Sequence, residues 1–153
     1  MPNEIEAKHT KTMDECMSKL YSNMCDFIDC VLEIMPDETV IVLAKIYLRT
    51  HVEEAKLMRK FCKKVLPVSN MITKKDEEFF INGSYIDSII SDYSIPLDFR
   101  SIWTRLTDEN KQQIWVWFDS FLETAEKYSK AEKALRLQKM ANDGGTEALK
   151  NIV

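Results

Sequence analysis

The sequence predicts an all-α protein, a single compact bundle of about five to seven helices with two long helices and a C-terminal helical extension. Three observations predict it. Only three glycines and four prolines stand among 153 residues, too few for the tight corners of a β-sandwich or barrel. The 45% apolar content is ample for one core at this length, where folding buries roughly two-thirds of the unfolded surface. Apolar residues also recur at spacings of three and four over long stretches, the period of an amphipathic helix.

Residues 1–11 carry no such period and are expected to form a flexible N-terminal arm. Thr12-Met13-Asp14-Glu15 reads as a capping box, with threonine and glutamate each satisfying an orphan backbone donor. From there Met13, Met17, Leu20, Met24, Phe27, Val31 and Ile34 form one stripe, predicting a long helix that stops at Pro36. Asp37 offers the next cap, and Val40, Ala44, Tyr47, His51, Ala55, Met58, Cys62 and Val65 continue a helical stripe to Pro67. That stripe fits one helix over 37–66 or two joined near Arg49-Thr50-His51.

Val68 to Ile72 is the best loop segment, lying against the core. A short helix follows from Lys74 to Ile81, closed by Asn82-Gly83, because glycine takes the left-handed conformation beyond a helix end without a steric penalty. Ser84 to Asp87 opens another short helix, and Pro96 suits the first turn of one carrying Phe99, Ile102, Trp103 and Leu106. Thr107-Asp108-Glu109 caps the last strong helix, over about 108–130, where Ile114, Phe118, Phe121, Ala125 and Tyr128 share an arc flanked by Trp115 and Trp117. An apolar face roughly 160° wide must touch at least two neighbours, so this helix is central, and Val116 points away. Residues 12–130 thus make the bundle domain. Residues 131–153 make an amphipathic extension, ended by Asn142-Asp143-Gly144-Gly145, and a flexible tail.

The polar, acidic start excludes a secretory signal. The longest apolar run, Val40 to Ala44, is far short of the ~20 residues that span a bilayer. A cytoplasmic or virion protein without membrane insertion is therefore expected. A formal net charge of −4 gives no global field toward nucleic acid.

No constellation of catalytic or cofactor-binding residues is present: the chain has no G-x-S-x-G elbow, no phosphate loop and no G-x-G-x-x-G turn. Metal binding needs about four converging donors, and Cys16, Cys25, Cys30 and Cys62 lack that spacing. Cys25 and Cys30 are about 140° apart on a helix, and His51 with Glu54 reverses the di-iron order. Cys62 has Lys60, Lys63 and Lys64 beside it, yet its place on the apolar stripe turns the sulfur inward. The cysteines read as reduced core residues, His51 as a packing residue, and no metal or cofactor is assigned. The notable charged feature is a basic ridge of Lys56, Arg59, Lys60, Lys63 and Lys64, followed by Lys74 and Lys75. It could neutralise phosphates or an anionic partner. The plainer reading is a wet face, or one paired with the acidic stripe of Asp26, Asp29 and Glu33.

Phe61 to Ile81 (FCKKVLPVSNMITKKDEEFFI) and Asp98 to Tyr128 (DFRSIWTRLTDENKQQIWVWFDSFLETAEKY) resemble segments of small uncharacterised helical proteins of nucleocytoplasmic large DNA viruses. There a Trp-x-x-Leu unit precedes a polar turn and an Ile-Trp helix, here Trp103, Leu106, Ile114 and Trp115. The resemblance implies a viral protein of the infected-cell cytoplasm or the particle and carries no catalytic residue across. The leading functional expectation is a non-enzymatic interaction or structural protein whose partner is another protein or a copy of itself. The alternatives are nucleic-acid binding through the basic ridge and an enzyme with an unrecognised helical active site.

Overall fold

The computed structural model describes residues 3–82, 86 and 97–152, with side chains up to Asn142. The expected helix at Ser84–Asp87, the Gly83 stop and the Pro96 start therefore lie outside the described residues, apart from Ile86. In chain order the elements are α1 (Glu4–Ile34), α2 (Thr39–His51), α3 (Glu54–Val65), a 3₁₀ turn (Leu66–Val68), α4 (Ser69–Thr73), α5 (Glu77–Asn82), α6 (Phe99–Thr104) and α7 (Asp108–Ile152). The all-α class is as predicted, and helices α1 and α7 are its two long members.

These two lie antiparallel and form the axis of the fold. At 1.5 Å per residue they are about 46 and about 67 Å long. Cys16 and Leu20 of α1 cluster with Phe121, Ala125 and Tyr128 of α7, and Val31 clusters with Ile114, Trp115 and Leu122. Phe27 sits between them, 5.6–5.9 Å from the rings of Trp117, Phe118 and Phe121. Near the far end Glu6 is buried, and its Oε1 accepts a 2.8 Å hydrogen bond from the Asn142 side chain.

That pairing corrects both terminal expectations. The first helix starts at Glu4 rather than Thr12, capped by Asn3, whose Oδ1 accepts from the Glu6 amide at 2.8 Å. Thr12 lies within the helix and its hydroxyl donates back to the Lys8 carbonyl. Residues 3–11 are thus not an arm, because α7 supplies the partner that a weakly periodic segment cannot find alone. The C-terminal stop at Asn142–Gly145 also fails, since α7 runs on to Ile152. Glycine ends a helix by adopting positive φ, and no described glycine does so.

The middle of the chain wraps this axis. Pro36 stops α1 as expected, with Met35 as C-cap. Asp37 is not the next cap: Glu38 takes that position without a side-chain capping bond, its carboxylate accepting from Arg105 instead, and α2 opens at Thr39. Residues 37–66 form two helices, broken at Val52–Glu53, both with extended backbone. There is no glycine or proline at the break. The Leu48 carbonyl, one of the last four of α2 and so without an intrahelical partner, accepts from the Tyr21 hydroxyl at 3.0 Å. A contact from α1 thereby stabilises an end that the local sequence does not mark.

The expected loop at 68–72 is helical, and its Ile72 is buried. Helix α4 ends in a Schellman motif: the Lys75 amide donates to Ile72 and the Asp76 amide to Met71, with Lys75 at φ 55°. Asp76 then caps α5, accepting from the Phe79 amide at 3.1 Å. The short helix expected from Lys74 consequently begins three residues later, at Glu77. Asp98 caps α6 through the Ser101 amide, and Thr107 caps α7 through the Asn110 amide, the latter as predicted.

Trp103 of α6 is only 2% exposed and closes the lower core, edge-on to Trp115 with centroids 5.6 Å apart. Its indole N–H donates to Glu77, and the Lys111 ammonium lies over the ring at 5.7 Å. Burying an indole requires such a partner for its donor.

Candidate functional site

Two features stand out, one on each side of α2. The first is a cleft of about 300 Å³ between α1, α2, α3 and the α5–α7 region. Phe27, Ile28, Ile41, Leu48, Phe61 and Phe118 are among its lining residues, and the wall is apolar almost throughout. Lys60 and Lys64 are its charged members among the described residues. They are half-buried and lie one turn apart on α3, where lysine lays its methylene stem on apolar surface and keeps the ammonium at the water boundary. Sealed and empty, a void of this size would cost about 7 kcal/mol at ~24 cal/mol per Å³. That rivals the whole stability of an ordinary domain. The cleft is instead partly open to solvent.

The second feature is the outward face of α2. Val42, Leu43 and Ile46 are 38%, 49% and 54% exposed, and at 100° per residue they share an arc with Thr39 and Thr50. The opposite side of the same helix supplies Ile41, Ala44, Tyr47 and Leu48 to the cleft. A helix apolar on both sides belongs between two partners, yet the principal neighbour of α2 is α1. Its charged residues are turned toward that neighbour. Lys45 Nζ lies 2.6 Å from Asp29 and Arg49 3.5 Å from the same carboxylate, and the Lys45 hydrogen bond holds the Asp29 carboxyl below its usual range. Val42, Leu43 and Ile46 themselves carry no charge, and Arg49, which borders the stripe, is paired with Asp29.

The structure divides the predicted basic ridge. Lys56, Arg59 and Lys63 are exposed, whereas Lys60 and Lys64 turn along the cleft. Lys74 and Lys75 are exposed on the Schellman turn. Within the acidic stripe, Asp29 pairs with α2 and not with the α3 ridge. His51 lies at the surface, stacked on Tyr47 at 5.1 Å, with Nδ1 2.6 Å from the Thr50 hydroxyl.

The cysteines are free thiols. Cys62 points inward, its Sγ 3.7 Å from Met58 Sδ and 3.8 Å from the Ala125 carbonyl. Burial, helped by the Glu132 carboxylate, pushes its pKa up to about 11, and burial likewise raises that of Cys16. The three flanking lysines therefore do not activate Cys62. Among the described residues no group of three or more His, Cys, Asp or Glu is placed to hold a metal ion, and no helix is long and apolar enough to cross a membrane.

No family model, curated protein or solved structure matches this chain.

The α2 stripe and the cleft were both missed in the sequence. Val42 and Leu43 sit among inward residues in the run Val40–Ala44, with Ile46 just beyond it, and period alone does not say which side of so apolar a run faces water. The signal available was the run itself: a helix so apolar on both sides needs more than one partner.

Proposed function

We propose that this chain is a non-enzymatic interaction or structural protein that binds another protein, or a second copy of itself, through the outward face of α2. The supporting observation is the uncharged stripe of Val42, Leu43 and Ile46 on a helix whose other side is already engaged. Anchors at i, i+1 and i+4 on one helical face are what a helix presents to a hydrophobic groove. Charge placement supports the same reading, because desolvating this face strips no ion pair of water; Lys45 and Arg49 stay with Asp29.

Nucleic-acid binding through the ridge from Lys56 to Lys75 is the weaker reading, since two of its cations border an apolar cleft. A cytoplasmic or virion setting rests on the resemblance of the Trp103–Trp115 region to viral helical proteins. The test is the double variant Leu43→Glu/Ile46→Glu. Light scattering and crosslinking of the wild type are expected to give an assembly, or a stable complex with a partner from the natural host, that the variant loses while keeping its helical circular dichroism. A monomeric wild type without a partner, or an assembly the variant leaves intact, refutes the reading.

A further inference from the structure

We infer that the partner of the α2 face is a second copy of this chain, laid antiparallel across a two-fold axis near Leu43; the inference rests on the interaction reading above and names its partner. A two-fold interface must be self-complementary, because the same patch serves both sides. The outward face of α2 meets that demand. Its exposed apolar residues, Val42, Leu43 and Ile46, centre on Leu43–Ala44. Glu38 and Arg49 stand at equal distances on either side of that point and carry opposite charges. They are eleven positions apart, about 20° around a helix and about 16 Å along it, so both fall on one edge of the stripe.

A half-turn about an axis crossing the helix keeps that edge in place and exchanges its ends. Val42 then faces the partner's Ile46, Leu43 meets its own counterpart, and each Glu38 comes opposite the partner's Arg49. A parallel pairing would instead set Glu38 against Glu38 and Arg49 against Arg49, with the helix dipoles aligned the same way. The pairs already formed survive. Glu38 accepts from Arg105 through Oε2, and a carboxylate has a second oxygen to offer. Arg49 is half exposed and approaches Asp29 through one nitrogen at 3.5 Å, and a guanidinium has further N–H donors.

The experiment is sedimentation velocity and native mass spectrometry of the full chain, as wild type and as charge variants. The wild type is expected to dimerise with rising concentration. Glu38→Arg and Arg49→Glu should each weaken the dimer about tenfold, since each sets two like-charged pairs across the axis. Mixing the two variants should restore wild-type affinity in a heterodimer resolved by mass, and the double variant Glu38→Arg/Arg49→Glu should dimerise alone. That recovery also establishes that the single variants are folded. A wild type still monomeric at about 1 mM, where a pair of millimolar Kd is well populated, overturns the inference, and so does a mixture that gains nothing over its components. In either case a host partner lost on Leu43→Glu/Ile46→Glu would leave the interaction reading standing. A dimer indifferent to Leu43→Glu/Ile46→Glu overturns both.

Discussion

Replacing Lys75 by glycine should stabilise the protein, an unusual direction for a substitution in an ordered segment. Lys75 is the described non-glycine residue with positive φ, at 55°, and it holds that conformation because the Schellman bonds to Ile72 and Met71 require it. For a residue with a Cβ the left-handed conformation costs roughly 1–2 kcal/mol. Glycine escapes that cost but loses more backbone freedom on folding, about 0.5–1 kcal/mol. The net gain is about 0.5–1 kcal/mol, a rise in Tm of about 1–4 °C for a chain of this size. Two controls separate backbone from charge. Lys75→Ala removes the same cation while keeping the strain, and should stay within about 0.5 kcal/mol of wild type. Lys74→Gly acts on a right-handed position, φ −81°, and should lower stability by roughly 0.5–1 kcal/mol. Chemical denaturation followed by circular dichroism measures all three. A Lys75→Gly protein no more stable than wild type, or a Lys75→Ala protein stabilised equally, would refute the assignment of strain to this turn.

Two further outcomes follow from the titrating groups. With its pKa near 11, Cys62 has about one part in a thousand as thiolate at pH 8, against about a quarter for an ordinary cysteine; alkylation mapped by mass spectrometry should label it last of the accessible thiols, and rapid native labelling would contradict its inward placement. Because that pKa is raised, the folded state keeps its advantage below the unfolded value near 8.5 and loses it as pH climbs toward 11, so Cys62→Ser should flatten the alkaline decline. Asp29 has the opposite sign: its carboxyl is held low by Lys45 and then Arg49, so its contribution is present above the ordinary carboxylate range and fades as pH falls through the lowered value. Asp29→Asn should flatten the acid limb of the unfolding midpoint, and an unchanged pH profile would show that the α1–α2 ion pair does not matter to folding.

The class of the fold and the inward stripes of its long helices were legible because they depend on local periodicity. Leu20, Phe27 and Val31 on α1, and Ile114, Phe118, Phe121 and Ala125 on α7, repeat at helical spacing and meet each other across the axis. Pro36 and Thr107 act through their own covalent geometry and side chain, so the stop of α1 and the start of α7 were readable where they stand. The ends that were misread share a different cause. Thr12, Asp37 and Gly145 each have the chemistry of a boundary, but a boundary residue only offers a conformation; neighbours decide whether it is taken.

The sequence by itself determined that this chain is helical, which stripes face inward on α1 and α7, and that Cys62 is a core thiol. Only the tertiary structure decided that α2 and α3 separate at Val52, that the first helix reaches back to Glu4, and that Val42, Leu43 and Ile46 face solvent while Ile41 and Leu48 border a cleft. The physical reason is that hydrogen-bond satisfaction and burial are settled between segments. Tyr21 reaches the Leu48 carbonyl across 27 positions and Asn142 reaches Glu6 across 136, and no window of local sequence contains both ends of either bond.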